Sequence, residues 1–485
     1  MTSSPAIASR AFTLDDQREF ARASGDFNPL HLDAQFARRT QMGAPVVHGI
    51  HTLLWALESA LRAGNFDIRN IRARFHQPLF LDEIAEVRVG ARTEGAIDLD
   101  VVAAGTVVAA IKLSATPGKA SGPLRIEAPL AAPGPEPLDL PFEQMADQRG
   151  AFAAVVAADE IRRLFPALCT AIDTAAVGGL MATSRIVGMA CPGLHSLFAG
   201  IEVNRDAASE THALGYAVRK VDARFRSLQI DIAGSGLTGR IDAFARPQPP
   251  AQADIKSVAA RLTGKPFAGQ RALVIGGSRG LGEVAAKIIA AGGGHPVITF
   301  REGRQEAANV ASGIQQAGGT CDVLQYDALK PASGQLGGIG AVDSCYYFAT
   351  AKIFQRKSAL FEPAKLRVFL DYYVDGFFDL CATLAQRSAG KVVMFYPSTT
   401  ALDAPTAGIA EYAMAKAAGE ALVQQLNAFQ PGVHAISRRL PRIATDQTAT
   451  VGVASAQDAL DVLLPIVHEV QQVARQAAPA PASRG

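Results

Sequence analysis

The sequence predicts a multidomain chain: α+β segments first, then an α/β segment built on a parallel sheet. Three observations carry this. Two proline-rich stretches, at about 114–141 and 246–253, cut the 485 residues into three parts. Before the first break, one long apolar helix pattern stands among alternating, strand-like stretches. After the second, short apolar strands alternate with helices, which implies βαβ units. The predicted boundaries are 1–120, a linker at 121–141, 142–247, a linker at 248–267, 268–475, and a disordered tail at 476–485. Domains of about 100–200 residues make three a natural count for this length.

In the first segment LDDQREFARASGD has a helical pattern, and a loop rich in Asn, Pro and His follows. HGIHTLLWALESAL then reads as an apolar helix, and AEVRVGAR and DLDVVAAGTVVAAIKLSA read as strands. The middle segment loosely repeats this order. CPGLHSLFAGIEV echoes the apolar helix, and Ala223-Arg224-Phe225 echoes Ala73-Arg74-Phe75. That places 191–196 at a helix entry, with Pro192 and Gly193 starting the helix and His195 packed or exposed. In the third segment RALVIGG, PVITF, TCDVLQYD, VDSCYYFAT and GKVVMFYPS are the predicted strands, with helices such as GEVAAKIIAAGG between them.

Composition sets limits. The apolar share is 49% and the charged share 19%, as suits globular domains. Net charge is +2, from 47 basic and 45 acidic residues. No basic block stands out, so neither nucleic acid nor an anionic membrane is an expected partner. Cys169, Cys191, Cys321, Cys345 and Cys381 form no C-x-x-C. They read as reduced thiols of a cytoplasmic protein, without a disulfide frame or a metal site. The N-terminus lacks an apolar signal region, and no apolar run is long enough to span a bilayer.

The first chemistry-bearing segment is ASGDFNPLHLD, followed downstream by PVVHG. Asp26 and His31 lie across a turn, where a carboxylate and an imidazole can converge on one water and exchange its protons. Gly49 opens the apolar helix, and a helix N-terminus offers an unpaired N–H to an oxygen gaining charge. Water activation plus an oxyanion donor is what reversible hydration of an α,β-unsaturated thioester needs. His48 reads as structural, bonding backbone beside the helix start; His51 and His76 read as ordinary. These residues, with RARFHQPLFLDE, resemble the MaoC-like (R)-specific enoyl-thioester hydratases over about 10–115. The resemblance implies a hot-dog fold, Asp26 and His31 as the water-activating pair, and the Gly49 N–H as oxyanion donor. Asn28 and Pro29 would shape the loop. The middle segment would be a second, degenerate hot-dog lacking this motif.

RALVIGGSRGLGEV places Gly276, Gly280 and Gly282 in a turn between strand and helix, where the backbone can approach a pyrophosphate. EYAMAKAAGEAL places Tyr412 and Lys416 on one helix face. An ammonium beside a phenol favours the phenolate, lowering its pKa toward working pH. Ser398, on a preceding strand end, would hydrogen-bond a ketone, with Thr399 as the alternative. This combination resembles the short-chain dehydrogenase/reductases, most closely the 3-oxoacyl-thioester reductases, over about 268–450. The resemblance implies a Rossmann fold with Ser398, Tyr412 and Lys416 catalytic. The cofactor would lie on Gly276, Ser278, Arg279, Gly280, Leu281, Gly282, Arg301, Asp327 and Ala349, with Tyr412 and Lys416. Arg279 and Arg301 suit the 2′-phosphate of NADP(H). The pattern departs from the family at Ile275, at Phe348-Ala349-Thr350, and at Tyr373, which replaces a helix asparagine. A seventh strand is not legible.

Together these features predict a bifunctional enzyme: an NADPH-dependent ketoreductase and an (R)-3-hydroxyacyl-thioester dehydratase. Its substrates would be carried on acyl carrier protein or CoA, and it would form a homodimer. Two other readings stay open: a hydratase with a catalytically silent reductase domain, and a non-catalytic module that docks acyl carriers.

Overall fold

A computed structural model describes residues 5–118, 134–205, 212–248, 250–353, 356, 359–388, 390–448 and 456–477. Most of the proline-rich linker at 121–141 and of the tail at 476–485 lies outside these. The chain divides after Gln248 into two compact units.

The first unit is built on one ten-stranded sheet. Its first half supplies β1 (Ala6–Ala11), β2 (Asn70–Phe75), β3 (Ile84–Arg92), β4 (Ala96–Ala103) and β5 (Thr106–Ser114). Its second half supplies β6 (Arg149–Ala153), β7 (Ser196–Arg205), β8 (Ala213–Asp222), β9 (Ser227–Gly234) and β10 (Leu237–Ala245). The order β1-β3-β4-β5-β2-β7-β10-β9-β8-β6 reads the same way inward from either edge. At the centre β2 and β7 pair antiparallel, with Ala73 opposite Ile201. Each half wraps its sheet around one long helix. In the first half this is Gly49–Ala63, whose Ile50, Leu53, Leu54 and Leu57 are fully buried. In the second it is Thr174–Arg185, which continues as a wider π turn over Ile186–Ala190. The unit is therefore two hot-dogs sharing a sheet, so each half covers what would otherwise be the other's open edge.

The internal repeat is real, but its register differs from the one the sequence suggests. Residues 191–196 do not enter a helix. They leave one, with Gly193 at φ 80° and Ser196 starting β7. The counterpart of Gly49–Ala63 lies earlier, capped by Asp173, whose carboxylate accepts from the Ala176 N–H at 2.8 Å. Likewise Ala73–Phe75 ends β2, whereas 223–225 turns between β8 and β9. The true equivalents are β2 and β7.

The second unit holds a six-stranded, all-parallel sheet: β11 (Arg271–Ile275), β12 (His295–Phe300), β13 (Asp322–Gln325), β14 (Ser344–Tyr347), β15 (Val392–Thr399) and β16 (Val433–Leu440). The order is β13-β12-β11-β14-β15-β16. Chain direction across the sheet reverses between β11 and β14, which opens a crevice at the strands' C-terminal ends. Alternation along β11 feeds two cores. Ala272 and Val274 face the Gly280–Ala291 and Ala459–Ala477 helices, while Leu273 and Ile275 face the side of Phe377, Leu380 and Ala415. Among the described residues the Ala459–Ala477 helix follows β16 and no seventh strand does.

Candidate active sites

In the first unit the Leu14–Ser24 helix stops at Gly25, whose φ of 76° needs glycine's freedom. The chain then drops Asp26 into the interior, where it is 1% exposed. Two residues on, the Asn28 side-chain oxygen accepts from the Leu30 N–H at 3.0 Å and starts the short helix that carries His31. The result brings the predicted pair together: donor atoms of Asp26, His31 and His48 all lie within 4.8 Å of one another.

Each group has a defined state. His31 Nδ1 donates to the Val46 carbonyl at 2.7 Å, which fixes the tautomer and leaves Nε2 as a base. Burial pushes the His31 pKa down to about 4, against the pull of that carbonyl. Burial pushes Asp26 up to about 6, against hydrogen bonds from the Ser184 hydroxyl and the Asn28 N–H. His48 caps the Gly49–Ala63 helix and stacks on His31 with ring centres 3.8 Å apart. Its Nδ1 lies 2.9 Å from Gln17 Oε1, and its Nε2 3.2 Å from the Asp26 carbonyl. The Gly49 N–H is the first of the helix and has no partner within it.

Three donors this close would suit a divalent ion by distance alone. Yet both Asp26 oxygens accept hydrogen bonds, and both His48 nitrogens face oxygen atoms. Each of these hydrogen bonds would compete with an ion for the same atoms, and His31 Nε2 is the one nitrogen of the set left facing the site.

The sequence reading missed the second half's contribution. Ser184 Oγ donates to Asp26 Oδ2 at 2.6 Å. Asn28 Nδ2 donates to the Gly188 carbonyl at 2.9 Å and the Gly193 carbonyl at 3.2 Å. A Cβ on Gly188 would sit 2.3 Å from Asp26 Oδ1, so only glycine fits there. The half without the motif thus braces the half that has it. Gln17 was missed too: its amide oxygen meets His48, and its nitrogen lies 3.3 Å from His51 Nδ1. His195 instead lies near Asp139, with Nε2 3.5 Å from the carboxylate.

In the second unit the glycine turn joins β11 to the Gly280–Ala291 helix. Gly276 and Gly280 have φ of 79° and 57°. A Cβ on Gly282 would meet the Gly276 carbonyl at 2.3 Å, so glycine there lets helix and strand close up. Among the described residues, a Cβ on Gly280 would have only Thr445, at 3.8 Å, within 4 Å. Helix N–H groups opening past a bare backbone fit a pyrophosphate. Ser278 and Leu281 belong to this turn, and the Ala349 N–H lies 3.3 Å from a Cβ position on Gly276. Arg279 pairs with Asp446. Arg301, just past β12, donates to the Tyr372 hydroxyl at 2.7 Å and pairs with Glu302. Asp327 accepts from the Leu329 N–H at 3.1 Å.

Tyr412 and Lys416 share a face of the Ala410–Phe429 helix. Two expectations need correction here. Ser398 Oγ does not face Tyr412; it donates to Glu420 Oε1 at 2.5 Å, within a network that includes Arg439. The adjacent hydroxyl, Thr399, is the one that acts on the Tyr412 phenol, because successive side chains of a strand point opposite ways. Nor does Lys416 lower the Tyr412 pKa: burial raises it, and the Thr399 side chain opposes. Lys416 Nζ donates to the Pro397 carbonyl at 2.6 Å and lies 3.8 Å from the Tyr373 ring centre. It is 5.9 Å from that of Tyr412. Burial pushes Lys416 down to about 7. Tyr373 is itself buried, its hydroxyl bonded to Thr350.

Residues 3–110 match the MaoC like domain family, and residues 270–446 the short chain dehydrogenase family. A 3-hydroxybutyryl-CoA dehydratase of Methylorubrum extorquens is 30% identical over 86 residues, 17% of this chain and 55% of that protein. An (R)-specific enoyl-CoA hydratase of Aeromonas caviae is 47% identical over 53 residues, 11% of this chain and 38% of that one. The chain thus spans about half or less of the curated relatives it matches. Among solved structures, a 3-oxoacyl (acyl-carrier-protein) reductase from Agrobacterium tumefaciens with NADP bound is 26% identical. That match covers 38% of this chain and 74% of that one, with a TM-score of 0.34. A gluconate 5-dehydrogenase from Burkholderia cenocepacia with NADP and tartrate is 21% identical. It covers 44% and 92% of the two chains, with a TM-score of 0.36. The chain joins a MaoC-like hot-dog domain to a short-chain dehydrogenase domain of Rossmann-like fold. Among the described residues no helix is long and apolar enough to cross a membrane.

Proposed function

We propose that the chain is a bifunctional NADPH-dependent 3-oxoacyl-thioester reductase and (R)-3-hydroxyacyl-thioester dehydratase, acting on chains carried by acyl carrier protein or CoA. The observation that carries the reading is the convergence of Asp26 and His31 within 4.8 Å, with His31 Nδ1 tied back to Val46. In the hydration direction His31 Nε2 and the Asp26 carboxylate take a proton from a bound water as its oxygen adds to C3. The charge moves onto the thioester oxygen, where the Gly49 N–H receives it. The same proton then goes to C2, so one water supplies both added atoms. Dehydration is the reverse.

In the second unit the glycine turn and Arg301 would hold NADP(H), which supplies the hydride when bound. Tyr412 gives a proton to the ketone oxygen, and Thr399 steadies that oxygen from the strand end. Lys416, poised near neutrality, holds the Pro397 carbonyl beside them. Reduction followed by dehydration is consecutive chemistry, and fusion raises the local concentration of the intermediate. A homodimer and a cytoplasmic setting, which suits five free cysteines, belong to the same proposal.

One observation favours a second reading, a hydratase with a silent reductase. Tyr373 fills the space beside Lys416 with an aromatic face where a polar relay would run. The test offers crotonyl-CoA without cofactor and acetoacetyl-CoA with NADPH. Loss of the enoyl absorbance and loss of NADPH support the two-activity reading. Hydration without NADPH loss leaves the second reading, and neither change overturns both.

A further inference from the structure

Arg185 ends the Thr174–Arg185 helix, and the dehydratase chemistry above makes no use of it. It is 2% exposed. Among the described residues its Nη2 has no hydrogen-bond partner, and burial lowers its pKa. The guanidinium carbon lies 4.0 Å from the centre of the Phe152 ring, which stacks on Tyr216. Aromatic contact covers one face of the cation and leaves Nη2 unanswered among the described residues.

Its position ties it to the site. Arg185 Cδ lies 2.9 Å from where a Cβ on Gly25 would sit, and Gly25 immediately precedes Asp26. The residue before it, Ser184, holds Asp26 Oδ2. One helix end therefore braces the reacting carboxylate and places a buried cation beside its loop. A buried guanidinium nitrogen without an acceptor is unfavourable, and an apolar side chain of similar volume would pack here without that cost. The imbalance is removed when an acceptor arrives with the substrate.

We propose that Arg185 is a specificity residue that receives a carboxylate borne by the acyl chain, so that the preferred substrates are acyl thioesters with a second, ionised carboxyl group. The planar, two-donor edge of a guanidinium matches a carboxylate. This rests on the hydratase reading of the Asp26 site.

The test compares hydration of glutaconyl-CoA and trans-2-pentenoyl-CoA, which share an enoyl thioester and chain length but differ in the terminal carboxylate. Wild type should prefer glutaconyl-CoA at least about tenfold in kcat/KM. Arg185→Met should lose roughly 10²-fold on it, the scale for stranding a buried charge partner, and keep its rate on the pentenoyl substrate. A thermal-shift assay gives a readout free of catalysis. Glutarate should raise the wild-type Tm where butyramide and inorganic phosphate do not, and Arg185→Met should abolish the rise. Equal use of both substrates by wild type, or an equal loss on both in the variant, overturns the proposal. So does a Tm rise with phosphate equal to that with glutarate, which would mark a site for free anions. A glutarate shift that needs Arg185, with neither thioester hydrated, would leave the carboxylate site standing and overturn the hydratase reading. Arg185→Lys, which keeps the charge but loses the fork, serves in the same assays if the Met variant does not fold.

Discussion

Asp26 and His31 titrate in opposite directions for one reason, the burial that disfavours charge on each. Asp26, raised to about 6, must be ionised to act, so hydration should fall as pH drops through about 6. Ser184 donates to the carboxylate and holds that value down, so Ser184→Ala should move the acid limb of the kcat profile upward. An unmoved limb would show that Asp26 does not set it. The linked stability terms also differ in sign. The Asp26 contribution is present below about 3.8 and lost as pH rises through about 6. The His31 contribution is present above about 6.5 and lost as pH falls through about 4. Asp26→Asn should cost about 10²–10⁴ in hydration rate, as removal of a general base does. A smaller loss would place the base elsewhere. The pair was legible because five residues of local sequence carry it. Ser184 was not, because it reaches Asp26 from 158 residues away and a serine in an apolar helix has no local signature. Ser398 and Thr399 are adjacent hydroxyls, and only the strand's facing decides between them.

At the scale of elements, the π turn at Ile186–Ala190 positions the Asp26 loop through the Gly188 carbonyl and the bare Gly188 Cα. Gly188→Ala should push Asp26 Oδ1 aside and reduce hydration by at least about tenfold, on the scale of a misplaced catalytic group. NADPH oxidation should be untouched, and a parallel loss of both would point to general unfolding. The helix leading to this turn escaped the sequence reading because TAAVGGLMATSRIVGMA carries two adjacent glycines, whose propensity argues against a helix. Its burial in the sheet overrides that propensity. The Gly49–Ala63 helix was legible since Leu53–Leu57 is an unbroken apolar run and no glycine or proline interrupts the helix beyond its first residue. In the second unit the strand–helix alternation was equally plain, as strands buried on both faces, such as β11 and β12, read as apolar runs. What sequence could not show is where Tyr373 lies: stacked under Lys416, it holds the ammonium on an aromatic face.

At the scale of the whole molecule, each proposed activity sits within one compact unit with its own core. Variants should therefore separate cleanly. Asp26→Asn should leave NADPH-dependent reduction intact and let the hydroxyacyl thioester accumulate. Tyr412→Phe should stop reduction and leave hydration of an added enoyl thioester at its wild-type rate. Product analysis by mass reads both; loss of both activities in either variant would contradict the independence of the units. The most direct test of two consecutive activities gives the wild-type protein acetoacetyl-CoA and NADPH carrying deuterium in the transferred position. The expected products are a 3-hydroxyacyl thioester and a trans-2-enoyl thioester that each carry one deuterium at C3. Unlabelled products, or no NADPH loss beside brisk hydration of crotonyl-CoA, would contradict it.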